Sequence, residues 1–202
     1  MDRLLPDPNL ADDAPDPVAD YLDDARPAPP GRPWVVMGMV ASVDGATAVN
    51  GRSGGLGGPG DRRVFRALRG VADMILVGAG TVRAEGYRSP RTSDDVVARR
   101  LAAGRAPCPR LVVVSGSLDL DPEAPLFADR PDEDPPPVVA TVASAPPDRR
   151  AALEPVAELV ACGPNRVDLT GLLAVLDDVG ASVVLCEGGP DLNHQLLAAG
   201  LV

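Results

Sequence analysis

The chain contains no lysine, so all 19 of its basic residues are arginine, set against 29 Asp and Glu. Such a bias is as compatible with a GC-rich genome as with function, although arginine is the better bidentate partner for phosphate. Histidine occurs once, at His194, which excludes a multi-histidine metal site and leaves no room for a His-centred triad beyond that one residue. Cys108, Cys162 and Cys186 are far apart in sequence and form no C-x-x-C pair, so neither a zinc site nor a disulfide framework is indicated and each reads as a buried thiol. Aromatic residues make up 2% of the chain, which leaves branched aliphatics and Ala/Leu helix faces to build the core. No apolar run approaches the length of a membrane span, and the N-terminus is acidic where a signal peptide is basic. These features predict a cytoplasmic protein without a membrane partner. The net charge of −10 argues against a nucleic-acid partner.

What is present suits one globular domain preceded by a tail. Eight aspartates against Arg3 and Arg26 put −6 of the net charge into the first thirty residues. Residues 1–32 therefore read as an acidic, Pro/Asp-rich leader with one apolar patch at Val18, Tyr21 and Leu22. Residues 33–202 form the body, close to charge balance and able to hold an anionic ligand.

The body is organised around repeated units of strand, glycine turn and helix start. Met74 to Val77 is a short apolar run that empties into Gly78-Ala79-Gly80-Thr81, where Thr81 is expected to cap a helical turn carrying Val82, Ala84 and Glu85. Glycines let a backbone approach a ligand, and the free N–H groups of a helix start attract negative charge. A single Gly-x-Gly is more often only a tight loop, but the unit recurs. Ser182 to Cys186 runs into Glu187-Gly188-Gly189-Pro190, and Asp191 opens a helix through Leu192, Leu196 and Leu197. Trp34 to Val40 reads as a buried strand ending in a bend at Ser42-Val43-Asp44-Gly45, with Ala46 to Val49 resuming it. Leu111 to Val114 ends at Ser115.

Between these units, Asn50 to Gly60 is too rich in glycine for regular structure and reads as a loop lying close to something. Asp61 reads as the N-cap or a first-turn acid of a helix through Val71, with Val64, Phe65, Leu68 and Val71 as its apolar stripe and Arg62, Arg63, Arg66 and Arg69 on the remaining faces. Most of those arginines are expected in solvent, and only one pointing back at the glycine loop would be functional. Further helices are expected at Asp94 to Ala103, at Asp148 to Ala157 (weakened by Pro155) and at Val167 to Val179, where Gly180 ends it. Val138 to Val142 and Glu158 to Cys162 read as strands, and Leu118 to Pro137 as a loop. Alternation of this kind predicts an α/β sheet with parallel pairs. Four turns then follow the C-terminal ends of strands, the edge where open parallel sheets bind ligands. A nucleotide is the implied ligand, but no turn is a G-x-G-x-x-G or a P-loop, so neither a Rossmann domain nor an NTPase is favoured.

The ordered set R-P-W before an apolar strand and S-V-D-G, S-G-G-L-G-G-P with R-R-V and L-R, I-L-V-G-A-G-T-V, P-R-L-V-V-V-S and V-L-C-E-G-G-P resembles the reductase domain of riboflavin biosynthesis. The resemblance covers Arg32 to Val202. It implies a dihydrofolate reductase-like α/β fold, with a mixed, mostly parallel sheet flanked by helices. The family's last strands would then be missing beyond Val202. It also implies NADPH as hydride donor and a pyrimidinone ribosylamine 5′-phosphate of the 5-amino-6-(5-phosphoribosylamino)uracil type as substrate, reduced at its ribosyl group to the ribityl form. Carried over position by position, it places Val40, Gly55, Gly78, Gly80, Thr81, Glu85, Ser115, Gly188, Gly189, Pro190, Asp191 and Leu192 around NADPH. Ser53, Arg69, Arg91 and Glu187 would face the substrate. Asp44, Glu85 and Glu187 are the candidates for catalytic acid, and no metal is implied. A cis peptide between Gly188 and Gly189 and, for full-length members, a homodimer are implied as well. Two other readings accompany this one: a dihydrofolate- or pterin-like reductase on the same fold, since Gly38 stands where the family usually has lysine, and a truncated nucleotide-binding module without catalysis.

Overall fold

A computed structural model describes residues 25–132 and 134–202. The leader reading therefore falls mostly outside the described residues. Six short runs of branched aliphatics become strands: β1 (Trp34–Met37), β2 (Met74–Gly78), β3 (Arg110–Val114), β4 (Val138–Thr141), β5 (Glu158–Ala161) and β6 (Val183–Cys186). They form one sheet in the order β1-β6-β2-β3-β4-β5, and every neighbouring pair is parallel. Where a mixed sheet was expected, the sheet among the described residues is wholly parallel. That agrees with the near-continuous apolar character of its inner strands, which are covered on both faces. Ile75, Leu76, Val77, Val112, Val113, Val139 and Val184 are fully buried.

Among the described residues seven helices connect or follow the strands: α1 (Pro59–Val71), α2 (Ala79–Glu85), α3 (Asp94–Ala102), α4 (Pro125–Ala128), α5 (Pro147–Leu153), α6 (Leu169–Asp178) and α7 (Pro190–Ala198). Several starts differ from the sequence reading for one reason, the fit of proline to the first helical turn, where its missing N–H costs nothing. Pro59, Pro147 and Pro190 each lie at a helix start, so Asp191 sits in the first turn rather than opening its helix, while Asp61 is a first-turn acid, one of the two places expected of it. Thr81 likewise lies inside α2, whose N-cap is Gly78. Pro155 falls just beyond α5, which shortens that helix instead of weakening its interior. In α6 the Asp168 side chain accepts from the Thr170 N–H at 3.0 Å, and Gly180 follows with positive φ. Trp34 is 39% exposed because β1 is an edge strand, and Ala46 to Val49 contribute only one bridge, Val49 to Arg52. A 3₁₀ turn at Ser53–Gly55 and the short α4 lie in stretches expected to be loop.

The position of β6 sets up the rest. The chain lays down β2 to β5 outward and then returns to insert β6 between β1 and β2. The turn after β6 is thereby held from both sides: Gly38 N–H donates to the Cys186 carbonyl (2.9 Å), Glu187 N–H to Leu76 (2.9 Å) and Gly78 N–H to Gly188 (2.7 Å). The far end of the sheet is held differently. Arg100, 2% exposed, donates to the carbonyls of Gly70, Ala72 and Ala106 at 2.9, 2.6 and 2.7 Å, and Arg105 donates to Val71 at 2.6 Å. Two arginines thus satisfy the carbonyls at the C-terminal end of α1, where positive charge is favoured.

Candidate active site

A cavity of about 620 Å³ opens at the C-terminal edge of the sheet, in the size range of small-molecule sites. Its floor is the backbone beyond β1, β2 and β6: Gly38 to Val40, Gly80 with Thr81, and Gly189 with Pro190. Helix α1 and the glycine loop form its roof, and Glu85, Tyr87 and Glu187 form its inner wall.

The inner wall is built around Glu187, which the end of β6 carries into the protein with its side chain 1% exposed. Arg69 Nε donates to Oε1 and Nη2 to Oε2, both at 2.7 Å, a bidentate pair. Tyr87 O–H donates to Oε2, also at 2.7 Å. The Arg69 guanidinium lies 4.6 Å from the centre of the Phe65 ring and 5.9 Å from that of Tyr87, so its planar cation is sandwiched as well as paired. Burial opposes the Arg69 charge, and the Glu187 carboxylate more than offsets it, leaving the guanidinium above its ordinary pKa. Burial first, and then the adjacent Glu187 charge, push the Tyr87 phenol far above its usual range. Tyr87 was not singled out in the sequence. The signal that could have found it is its place just beyond Gly86, whose left-handed conformation ends α2 and turns the chain toward Glu187.

Glu85 has a different task. Its Oε1 accepts the Ser53 N–H at 2.7 Å, tying the glycine loop to α2. The turn after β6 has a cis peptide between Gly188 and Gly189. A Cβ on Gly189 would stand 2.7 Å from Thr81 Oγ1, and one on Gly188, whose φ is +89°, would stand 3.2 Å from Met39 Sδ. The two glycines therefore let three strand ends approach one another. Beyond them α7 starts without a side-chain cap, so the Asp191 and Leu192 N–H groups of its first turn have no side-chain acceptor, while the Asn193 N–H donates to the Gly189 carbonyl at 3.0 Å. Behind the turn, Cys186 Sγ donates to Asn193 Oδ1 at 3.3 Å, and burial pushes the thiol up to about 11.

Of the sequence-nominated residues, the cavity wall brings together Val40, Ser53, Arg69, Gly80, Thr81, Glu85, Glu187, Gly189 and Pro190. Gly78, Gly188, Asp191 and Leu192 stand directly behind the two turns, and Gly55 lies in the 3₁₀ turn, its backbone close to Val49. Ser115 ends β3 with its Oγ buried and without a partner. Asp44 and Arg91 are also outside the wall. Asp44 is exposed in its bend, where the Ser42 hydroxyl and then the Ala46 N–H hold its carboxyl below the usual range. Arg91 is engaged with Asp134 and the Asp129 carbonyl, each at 3.3 Å. Arg62 and Arg66, two of the helix arginines most of which were expected in solvent, are exposed and also line the cavity. Among the described residues no group of three or more His, Cys, Asp or Glu could hold a metal ion, and no helix is long and apolar enough to cross a membrane.

A wholly parallel sheet with its last strand returned to the centre, and a ligand-sized cavity over the turn that follows it, define an α/β domain of dihydrofolate reductase-like architecture. Residues 33–202 match the RibD C-terminal domain, and the chain belongs to that family. It is 34% identical over 171 residues to the 2,5-diamino-6-ribosylamino-4(3H)-pyrimidinone 5′-phosphate reductase of Methanothermobacter thermautotrophicus, covering 85% of this chain and 74% of that one. To the protein of the same name in Archaeoglobus fulgidus it is 32% identical over 172 residues, covering 85% and 77%. Among solved structures, a pyrimidine reductase-like protein from Corynebacterium diphtheriae superposes with a TM-score of 0.78 at 28% identity, over 84% of this chain and 71% of that one.

Proposed function

We propose that this chain is an oxidoreductase of riboflavin biosynthesis that reduces the ribosyl group of a ribosylaminopyrimidinone 5′-phosphate to its ribityl form, using NADPH. The observation that carries this reading is the coincidence of family membership with a cavity in which Arg69, Glu187 and Tyr87 are fixed beside an uncapped helix start. The net reaction consumes substrate, NADPH and a proton and yields the ribityl product and NADP⁺.

The residues present fit a dinucleotide. The close Gly188-Gly189 turn sets the Thr81 hydroxyl beside the start of α7, that helix start has no side-chain cap, and Ser115 Oγ is a buried hydroxyl without a partner. When bound, the nicotinamide supplies the hydride. Thr81 and the start of α7 would hold the diphosphate. Ser115, with Arg149 donating to the nearby Ser117 carbonyl at 3.1 Å, would meet the 2′-phosphate, which favours NADPH over NADH.

The chain's own part is positioning and proton handling. Reduction of a ribosylamine at its sugar carbon requires the ring to open to an imine, and opening requires a proton at the ring oxygen. Glu85 and Asp61 are the wall carboxylates without an ion-pair partner among the described residues, and Glu85, on the inner wall beside Tyr87 and Glu187, is the candidate to carry that proton. Glu187, locked by Arg69 and Tyr87, orients the substrate by accepting hydrogen bonds. The unpaired state of all three cysteines suits the cytoplasm, where thiols stay reduced.

Steady-state turnover tests the reading. The protein should oxidise NADPH when given the pyrimidinone ribosylamine 5′-phosphate and not when given dihydrofolate. Turnover of dihydrofolate alone would transfer the assignment to a pterin-type substrate.

A further inference from the structure

At the edge of the sheet opposite the candidate active site, the loops that lead into β3 and β4 enclose a second cavity of about 410 Å³, in the size range of small-molecule sites. Its wall includes five prolines, at positions 90, 107, 109, 135 and 137, together with Leu111 and Leu126. Proline fixes its own φ, so this wall is shaped before anything enters it. No aromatic side chain lines the cavity among the described residues.

Three charged side chains, Arg110, Arg130 and Asp134, share the wall, and two of them are balanced. Arg110 Nη2 pairs with Glu158 at 2.6 Å, and Asp134 pairs with Arg91 at 3.3 Å. Arg130 has no carboxylate partner among the described residues: it uses Nη1 for the carbonyls of Pro131 (2.8 Å) and Asp134, while its Nε is buried with no hydrogen-bond partner. Buried polar groups are almost always hydrogen-bonded, so this N–H calls for an acceptor that the described residues do not supply.

We propose that this cavity is a second ligand site, separate from the candidate active site, which takes a planar aromatic monocarboxylate with Arg130 as its anion partner. A carboxylate received at the Nε edge of the guanidinium satisfies the orphaned donor and neutralises the one unbalanced charge of the wall. A phosphate dianion suits the wall less well, because its second charge would stand unpaired in a wall that also holds the Asp134 carboxylate. The ring follows from the prolines. The electron-rich face of an aromatic ring packs on the C–H groups of pyrrolidine rings, the pairing by which proline-rich segments dock on aromatic grooves. Here the chain supplies the prolines and the ligand the ring. Cys108 also lines the cavity and is the one half-buried thiol, Cys162 and Cys186 being buried, so it reports on occupancy.

Calorimetric titration of the full chain with 2-naphthoate and with its neutral counterpart 2-naphthamide tests the proposal. The wild type should bind naphthoate with a dissociation constant of about 1 mM or below, and the amide roughly tenfold more weakly or worse. Arg130→Gln should weaken naphthoate by roughly tenfold or more. Ala106 lines the cavity yet is exposed, so Ala106→Phe should fill the space and abolish binding without disturbing the core, and it decides the matter should Arg130→Gln melt early. Alkylation of Cys108 by iodoacetamide, followed by mass spectrometry, should slow in naphthoate and not in naphthamide, and NADPH should not displace the naphthoate. Failure to bind naphthoate overturns the proposal, as does equal binding of the amide. So does unchanged affinity in either folded variant, unaltered Cys108 alkylation at saturation, or displacement by NADPH. No readout here uses substrate turnover, so the function proposed above stands or falls by its own assay.

Discussion

Arg69 and Glu187, 118 positions apart in the chain, meet through two hydrogen bonds of 2.7 Å that join helix α1 to the end of strand β6. The two ends of this bond are unequally exposed, 24% for the arginine side chain and 1% for the glutamate. An arginine that loses its partner can reach solvent, whereas the glutamate cannot. Arg69→Gln should therefore cost more stability than Glu187→Gln, on the order of 3 kcal/mol for the first, as expected when a buried charge is left unpaired. Denaturant unfolding of both variants checks the order, and the reverse order would contradict this account of the pair.

Tyr87 shares Glu187 with Arg69, and its raised pKa has a direct optical test. In a Tyr21→Phe protein the remaining tyrosine is Tyr87. No tyrosinate absorbance should develop near the ordinary value of about 10. The unfolded chain does release its proton there, so the stability linked to Tyr87 is complete below that pH and is lost as pH rises above it toward the folded value. Ordinary titration of the folded protein would show that the phenol is not held by Glu187.

These two contacts also mark the limit of what the sequence made legible. Runs such as Met74 to Val77 and Val183 to Cys186 announce their strands because buried parallel strands need uninterrupted apolar residues, and the turns at Gly80-Thr81 and Gly189-Pro190 that floor the cavity follow from their ends. The return of β6 to the centre is not written in any local pattern, and it alone brings Glu187 to Arg69 and Tyr87. Most of the α1 arginines are expected in solvent, with only one facing the glycine loop expected to be functional; Arg62 and Arg66 are exposed and also line the cavity. Their spacing relative to Arg69 was readable, but which face of α1 covers the cavity depends on tertiary packing. Proline at the first turn of α1, α5 and α7 was the local signal that acidic cap candidates obscured.

Cofactor choice should reside at the ends of β3 and α5. Arg149 and Arg83 lie 3.7 and 3.4 Å from Asp119, and Arg149 is the arginine bonded to the Ser117 carbonyl beyond Ser115. Arg149→Gln should weaken NADPH by roughly tenfold or more and leave NADH unaffected, since one hydrogen bond to a charged group contributes about 1.5 to 3 kcal/mol. Thr81→Val should weaken both cofactors by a similar factor, because the diphosphate is common to them. Fluorescence titrations with the two nucleotides check both statements, and equal effects of Arg149→Gln on both nucleotides would remove the 2′-phosphate assignment.

At the opposite end of the sheet, Arg100 should matter for stability alone. Replacing it with Met preserves bulk but strands the two buried carbonyls of Gly70 and Ala72, at about 1 to 3 kcal/mol for a group left unsatisfied. Unfolding should shift by at least about 2 kcal/mol, with cofactor affinity unchanged in the folded protein. A variant as stable as the wild type would mean that water satisfies those carbonyls.

The central claim is that this cavity passes a hydride from NADPH to the sugar carbon of a ribosylaminopyrimidinone 5′-phosphate, and isotope transfer tests it most directly. With NADPH deuterated at the transferring position of the nicotinamide, mass spectrometry and NMR of the product should find one deuterium on the ribityl carbon bonded to the amine, and Glu85→Gln should suppress its appearance. A ribityl product without label, or NADP⁺ formed with no change in the sugar, would contradict the account.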